Sequence, residues 1–412
     1  MSTLISWSSP VELEAAQKRR AELEIERLTA QIIARWEAES GAFGLMDGKV
    51  GLGFSMYELA ASGVPDADEH AERALVGAVD QFNTGGANPG LHSGIAGLGW
   101  LVDAWLGEED LCGPIDDSLR EKVEGMTAPE PVISLRAGLI GIGLYAARRA
   151  SRVSSARALL EAVAATLARA SHQTREGLTW NTPGSYWEGR GGSSDLFKFE
   201  NKVIREYGVA HGVAPLALLL SQMEQLGLSG VSSTSETLRW MWSTTQAEPN
   251  RFAWACSDSE RTELNVATWC TGDPGVAFVS WLAARSSGLN EEAEKWASFG
   301  RELAQRFLGG ERPARPERID LCCGLAGVLQ IFSSWAAMSG EPAFADVTRA
   351  LLTRLLNELD TGGLDKLPIG LQFGLAGLAA TLTAQTSGRP PAWAGPLAIA
   401  LPHIKASPLA SP

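Results

Sequence analysis

The chain has 412 residues and a mass of 43.8 kDa, with 45% hydrophobic and 20% charged residues, which is ordinary globular composition and enough chain to bury a large core. Its 35 basic against 48 acidic residues leave a formal net charge of −13. Phosphate neutralisation needs clustered Lys and Arg, so nucleic acid and anionic membrane surfaces are excluded as partners.

The first twenty residues lack a basic start followed by an apolar block, so no signal peptide is read there. Residues 11–40 carry one long helical pattern, and 1–40 is set apart as an N-terminal helical segment. From residue 41 a short motif recurs: a glycine, two residues, a second small residue, then an apolar helical run. It stands at Gly48 and Gly51, Gly94 and Gly97, Gly138 and Gly141, Gly212 and Pro215, Gly272 and Gly275, Gly324 and Gly327, and Gly374 and Gly377. Successive first positions are 46, 44, 74, 60, 52 and 50 residues apart, which is room for two helices and two connections per unit.

The apolar runs after the glycines suit buried helices. Between them lie amphipathic stretches such as EEAEKWASFGRELAQRFL, with apolar residues three and four apart and charges between. Each unit reads as an outer amphipathic helix followed by an inner helix that opens with the glycines. The small residues are expected where inner helices approach their neighbours. Such units must stack to bury their faces, and no capping repeat is visible. The expected fold is all-α, a closed α/α toroid of seven helical hairpins over residues 41–390, with 391–412 as a tail. Residues 171–208 and 243–268 break the helical period and are rich in Gly, Ser and aromatics. They are read as rim insertions, irregular or with short strands. The longest apolar stretch, Val213 to Leu220, is far short of the roughly 18 residues that a membrane span needs.

Reactive side chains gather at three successive glycine motifs: Ala210-His211-Gly212, Trp269-Cys270-Thr271-Gly272-Asp273-Pro274-Gly275, and Asp320-Leu321-Cys322-Cys323-Gly324. If the units are equivalent in space, these side chains converge on one mouth of the ring. Helix N-termini favour thiolate over thiol. Three converging thiolates suit zinc, and three protein ligands leave a fourth position open, as catalytic sites do. The linear spacing itself fits no short zinc motif. Five cysteines, two of them adjacent, argue for a reduced, cytoplasmic chain.

The set AHG, WCxGDPG and CCGLAG on a repeated GxxG background resembles the lanthionine synthetase C-like peptide cyclases, from about residue 41 to 385. The resemblance implies an α/α toroid of seven hairpins with zinc at its mouth. It implies an enzyme that adds a peptide cysteine thiol across dehydroalanine or dehydrobutyrine, closing a (methyl)lanthionine thioether ring. It assigns Cys270, Cys322 and Cys323 to the metal and His211 to acid/base catalysis. The implied partners are a dehydrated precursor peptide and a dehydratase in a biosynthetic complex. The chain departs from the family pattern at Ser134, Val266 and Thr271, where Asp, Arg and Tyr are usual, and at Pro215.

Two other readings compete. One is a zinc-containing, non-catalytic peptide scaffold. The other is a different α/α-toroid enzyme such as a glycosidase, for which Glu188 and Asp195 are the available carboxylates. His92 is expected to pack, Cys112 and Cys256 to be inert, and Asp273 and Asp320 to cap inner helices. Trp180 and Trp187 are candidate peptide contacts in the first insertion.

Overall fold

The computed structural model describes residues 7, 11–85, 88–107, 110–187, 203–228, 233–245, 252, 254–256, 261–263, 267–311 and 318–401. Among them are fourteen α-helices and a few short strands. The even-numbered helices are the inner ones: α2 (Lys49–Ala61), α4 (Ile95–Trp105), α6 (Leu139–Arg149), α8 (Ala214–Gln225), α10 (Asp273–Ser286), α12 (Leu325–Ser339) and α14 (Leu375–Ser387). Each begins within two residues after the first glycine of a motif. They are buried on almost every side; in α10 only Arg285 escapes.

The odd-numbered helices form the outer layer: α1 (Ala15–Glu39), α3 (Ala67–Asn83), α5 (Gly113–Glu124), α7 (Ser154–Arg169), α9 (Thr234–Ser243), α11 (Asn290–Leu308) and α13 (Pro342–Asp360). Each buries one stripe. In α11 the stripe is Ala293, Trp296, Ala297, Phe299, Gly300, Leu303, Ala304 and Phe307, spaced as an amphipathic helix requires.

Each inner helix touches the next, from α2 through α12 to α14, and α14 returns to α2. The outer partner of α14 is α1, from the other end of the chain. Arg20 and Arg35 of α1 donate to the carbonyls of Leu356 and Leu367 at 2.8 and 2.6 Å, tying α1 across α13 to the loop before α14. The N-terminal helix is therefore packed against the last repeat.

The crowding that the glycines relieve differs from the expectation. A Cβ at Gly141 would first strike the carbonyl of Leu135, and one at Gly377 that of Leu371. Each obstructing carbonyl lies six residues earlier, in the loop that leads into the same helix. The second glycine thus lets the helix fold back under its own lead-in loop. Pro215 takes this place in the fourth unit, inside the first turn of α8, where a missing N–H costs nothing.

The two insertions supply the strands. β1 (Ser171–Gln173) pairs with β2 (Leu178–Trp180). β3 (Thr182–Pro183), β4 (Val203–Glu206), β5 (Trp254–Cys256) and β6 (Arg261–Glu263) form an antiparallel sheet in that order. The β4–β5 pairing joins one insertion to the other.

The lead-in loops are bonded to one another around the ring. The residues two before the first glycine are Met46, His92, Arg136, Ala210, Cys270, Cys322 and Gln372. Met46 N donates to His92 O (3.3 Å), His92 N to Arg136 O (2.9 Å), Arg136 N to Ala210 O (3.2 Å) and Ala210 N to Cys270 O (3.0 Å). Cys322 N donates to Gln372 O (2.9 Å) and Gln372 N to Met46 O (2.8 Å). Six of the seven junctions share one bond geometry. The seventh, between Cys270 and Cys322, is where the thiols meet.

Residues 391–401, set apart in the sequence as part of a tail, are not one. Trp393, Ala394 and Leu397 to Leu401 are buried. The Pro396 carbonyl lies 3.0 Å from His92 Nε2, and the Leu397 carbonyl accepts from Trp269 Nε1 at 3.0 Å. His92 precedes α4 and Trp269 precedes α10, on opposite sides of the ring. The buried strip thus bonds to the lead-in loops of two non-adjacent inner helices.

Candidate metal centre and its surroundings

The loops before α10 and α12 bring three cysteines together from positions 52 and 53 residues apart. Cys323 Sγ lies 3.4 Å from Cys270 Sγ and 3.5 Å from Cys322 Sγ, and all three sulfurs fall within 4.8 Å of one another. Cys270 and Cys322 are buried and Cys323 is partly exposed. Hydrogen bonds from Cys322 and Cys323 hold the Cys270 thiol well below its usual range. The same sharing pushes Cys322 well up.

The donor set fits zinc. Sulfurs each about 2.3 Å from a tetrahedral ion stand about 3.8 Å apart, near the observed separations. The loop is held from beneath. Asp320 Oδ1 accepts from Cys323 N at 2.9 Å, and Asp320 Oδ2 accepts from Arg318 Nε at 2.6 Å. Thr268 Oγ1 accepts from Thr271 N at 3.3 Å and lies 3.5 Å from Cys270 Sγ. Asp320 therefore caps the lead-in loop rather than α12 itself. Asp273 accepts from Phe252 N at 2.7 Å and so ties the second insertion to α10.

The chain belongs to the lanthionine synthetase C-like family, which matches residues 39–397. Among solved structures it is similar to nisin cyclase, with a TM-score of 0.73 and 18% sequence identity, over 92% of this chain and 97% of that one. No curated protein matches it in sequence. Within the matched residues the three cysteines form a group that could hold a metal ion.

His211 sits immediately after the backbone link between the α8 and α10 lead-in loops, since Ala210 N bonds to Cys270 O. Its ring is half-buried. Nδ1 lies 3.1 Å from the Tyr186 hydroxyl and 3.3 Å from Ser134 Oγ, and Tyr186 donates to Ser134 Oγ at 3.0 Å. The Tyr186 ring meets the imidazole edge-on, with centroids 5.7 Å apart. Ser134, one of the departures from the family pattern, is thus in contact with the histidine. Val266, another, lies outside the described residues. The third, Thr271, places Oγ1 3.8 Å from Cys270 Sγ.

His92 packs, as its sequence context suggests. Fully buried, it stacks on Trp269 at 6.0 Å, and Nδ1 meets Gln372 Nε2 at 3.0 Å. Burial pushes its pKa down to about 3, so it is neutral. Cys112 is buried, with its thiol pushed up to about 11 by burial, so it is unreactive. The side chains of Cys256 and Trp187, and residues Glu188 and Asp195, lie outside the described residues. Trp180 does not hold peptide: it is fully buried, and its Nε1 donates to Leu167 O at 2.8 Å.

Tyr186 is absent from the sequence reading because no spacing connects it to His211. A signal for Ser134, Thr268 and Asp320 does exist. With the repeats aligned on their first glycine, position −4 holds Gly44, Gly90, Gly208 and Gly370 in four units and these three polar residues in the others. Glu206 is also new. Its carboxyl oxygens are buried with no hydrogen-bond partner among the described residues. Burial first, and then the charge of Cys270, pushes its pKa well up.

Proposed function

We propose that the chain is a zinc-dependent lanthipeptide cyclase, built as a closed α/α toroid of seven hairpins. Cys270, Cys322 and Cys323 are the metal ligands and His211 is the acid/base residue. The observation that carries the reading is the meeting of three sulfurs from two repeats at zinc-ligand separations in a chain of this family. The ring of inner-helix contacts that closes from α14 to α2 supports the toroid. The substrate is a dehydrated precursor peptide, and a dehydratase that makes it is the expected partner. Free Cys112, Cys270, Cys322 and Cys323 suit the reducing cytoplasm. Among the described residues no helix is long and apolar enough to cross a membrane.

Zinc, when bound, favours the thiolate form of an incoming cysteine. The protein's own part is proton handling and orientation. His211 takes the proton that the thiol loses and returns it to the α-carbon of the dehydro residue after the sulfur has bonded to the β-carbon. The reaction is an isomerisation, so nothing else is consumed. Tyr186 and Ser134 at Nδ1 fix the plane of the imidazole, and so the direction in which the proton is delivered.

The test is a thiol count. A synthetic peptide with one dehydroalanine and one cysteine should lose its alkylatable thiol with zinc-loaded protein. His211→Ala should slow this about a thousandfold with zinc still bound. Thiols that stay free with the unaltered protein, across dehydrated peptides of varied spacing, reject cyclase activity in favour of a peptide-binding scaffold.

A further inference from the structure

The addition moves charge onto a carbonyl oxygen. As sulfur bonds to the β-carbon, the electrons of the Cα–Cβ double bond shift toward the dehydro residue's own carbonyl, giving an enolate. Its oxygen needs a hydrogen-bond donor until the α-carbon takes the proton. The cysteines offer none, and His211 is already committed to the proton.

The floor of the mouth is readable by register. The residues just before each first glycine are Asp47, Ser93, Ala137, His211, Thr271, Cys323 and Phe373, and every one is at least partly exposed. Residues at the preceding position are mostly buried. Among the described residues one cation stands close enough to feel the charge of Cys323 and Cys322. Arg318, four residues before Cys322, spends Nε on Asp320 Oδ2 at 2.6 Å. The other oxygen of that carboxylate holds Cys323 N. The guanidinium lies over Phe373, 5.5 Å from the ring centroid. Its side chain is 27% exposed, and among the described residues neither Nη makes a hydrogen bond. The other floor arginine, Arg136, instead points its guanidinium at Met46 Sδ.

We infer that the Nη edge of Arg318, fixed by Asp320 and Phe373 beside Cys323, is the subsite for the carbonyl oxygen of the dehydro residue. This rests on the cyclase reading. In the ground state the guanidinium holds the amide carbonyl. In the transition state the same N–H groups hold the enolate oxygen, so the bond strengthens as charge arrives. The Phe373 ring next to it suits the flat, apolar face of a dehydroalanine or dehydrobutyrine.

The experiment uses the full-length zinc protein and the dehydroalanine–cysteine peptide. Arg318→Ala should lower kcat/KM about a hundredfold, mostly in kcat, with zinc content unchanged. Ethylguanidinium should restore part of the rate, and Arg318→Lys should fall between. Loss of zinc in Arg318→Ala would mean that the arginine merely steadies Asp320 and the Cys323 loop, and a wild-type rate would remove it from the reaction; either overturns the inference. A second arm is independent of turnover. The same peptide with its cysteine changed to alanine should bind Arg318→Ala at least tenfold more weakly, read by tryptophan fluorescence. If the unaltered protein closes no ring, the cyclase reading fails by itself and this binding arm decides Arg318. Equal binding then overturns the subsite.

Discussion

The ring has a reactive arc and a silent arc. The lead-in loops of α8, α10 and α12 carry Cys270 and Cys322 two residues before the first glycine and His211 and Cys323 one before it, while those of α14, α2, α4 and α6 carry Gln372, Met46, His92 and Arg136 at the first of these positions and Phe373, Asp47, Ser93 and Ala137 at the second. The backbone is the same in both. The hydrogen bonds that link neighbouring loops, at 2.8–3.3 Å, run through the silent arc and into the reactive one, and among the described residues are missing only at the junction between Cys270 and Cys322. The second glycine meets its own lead-in carbonyl at Gly275 and Gly327 as it does at Gly51 and Gly97. The proposed chemistry therefore rests on two side-chain positions per repeat, set on a largely shared scaffold. In the silent arc the first position serves packing in two loops: His92 and Gln372 bond each other, and His92 also meets the C-terminal strip at the Pro396 carbonyl.

The comparison breaks most sharply at the metal. Cys322→Ala should take zinc content from one per chain to near zero and abolish ring closure. Gln372→Ala, at the same register in the silent arc, should keep its zinc. Metal analysis of the two purified variants checks this, and full zinc in Cys322→Ala would remove that residue from the ligand set. A smaller effect tests whether the scaffold really is common to both arcs. Gly141→Ala in the silent arc and Gly327→Ala in the reactive arc should each cost about 3 kcal/mol, because backbone must shift to admit the Cβ. Denaturant melts should show the two losses matching; a large excess at one site would mean that the arcs are built differently. The last test belongs to the silent arc alone and is read as a slope. His92 has a folded pKa near 3 against 6.5 in the unfolded chain. The unfolded state therefore binds the extra proton as pH falls, and stability should drop between pH 6.5 and 3 by about 1 kcal/mol per unit. His92→Gln should flatten that slope while leaving the reactive arc's zinc in place.

Part of the site was legible before the fold was known. Cys270, Cys322 and Cys323 stand at corresponding points of a repeated motif, so equivalence of the repeats predicted their convergence. Tyr186 was not legible, since it comes from an insertion with no periodicity. Arg318 and Asp320 were visible as residues but not as a pair gripping the Cys323 loop. Trp180 was misjudged because an aromatic in a polar insertion reads as exposed, whereas its ring is buried and its N–H satisfied by Leu167.

By itself the sequence determined the number of repeats, which helices lie inside and which residues can carry chemistry. Those properties follow from spacing over a few residues, where helix period and glycine placement act directly. Tertiary structure alone decided that α1 is the outer partner of α14, that most of residues 391–401 are buried, and that sulfurs 53 positions apart stand 3.4 Å from one another. Contacts of that kind depend on how the ring closes as a whole, and no local pattern encodes a closure that is fixed only when every helix has buried its apolar face.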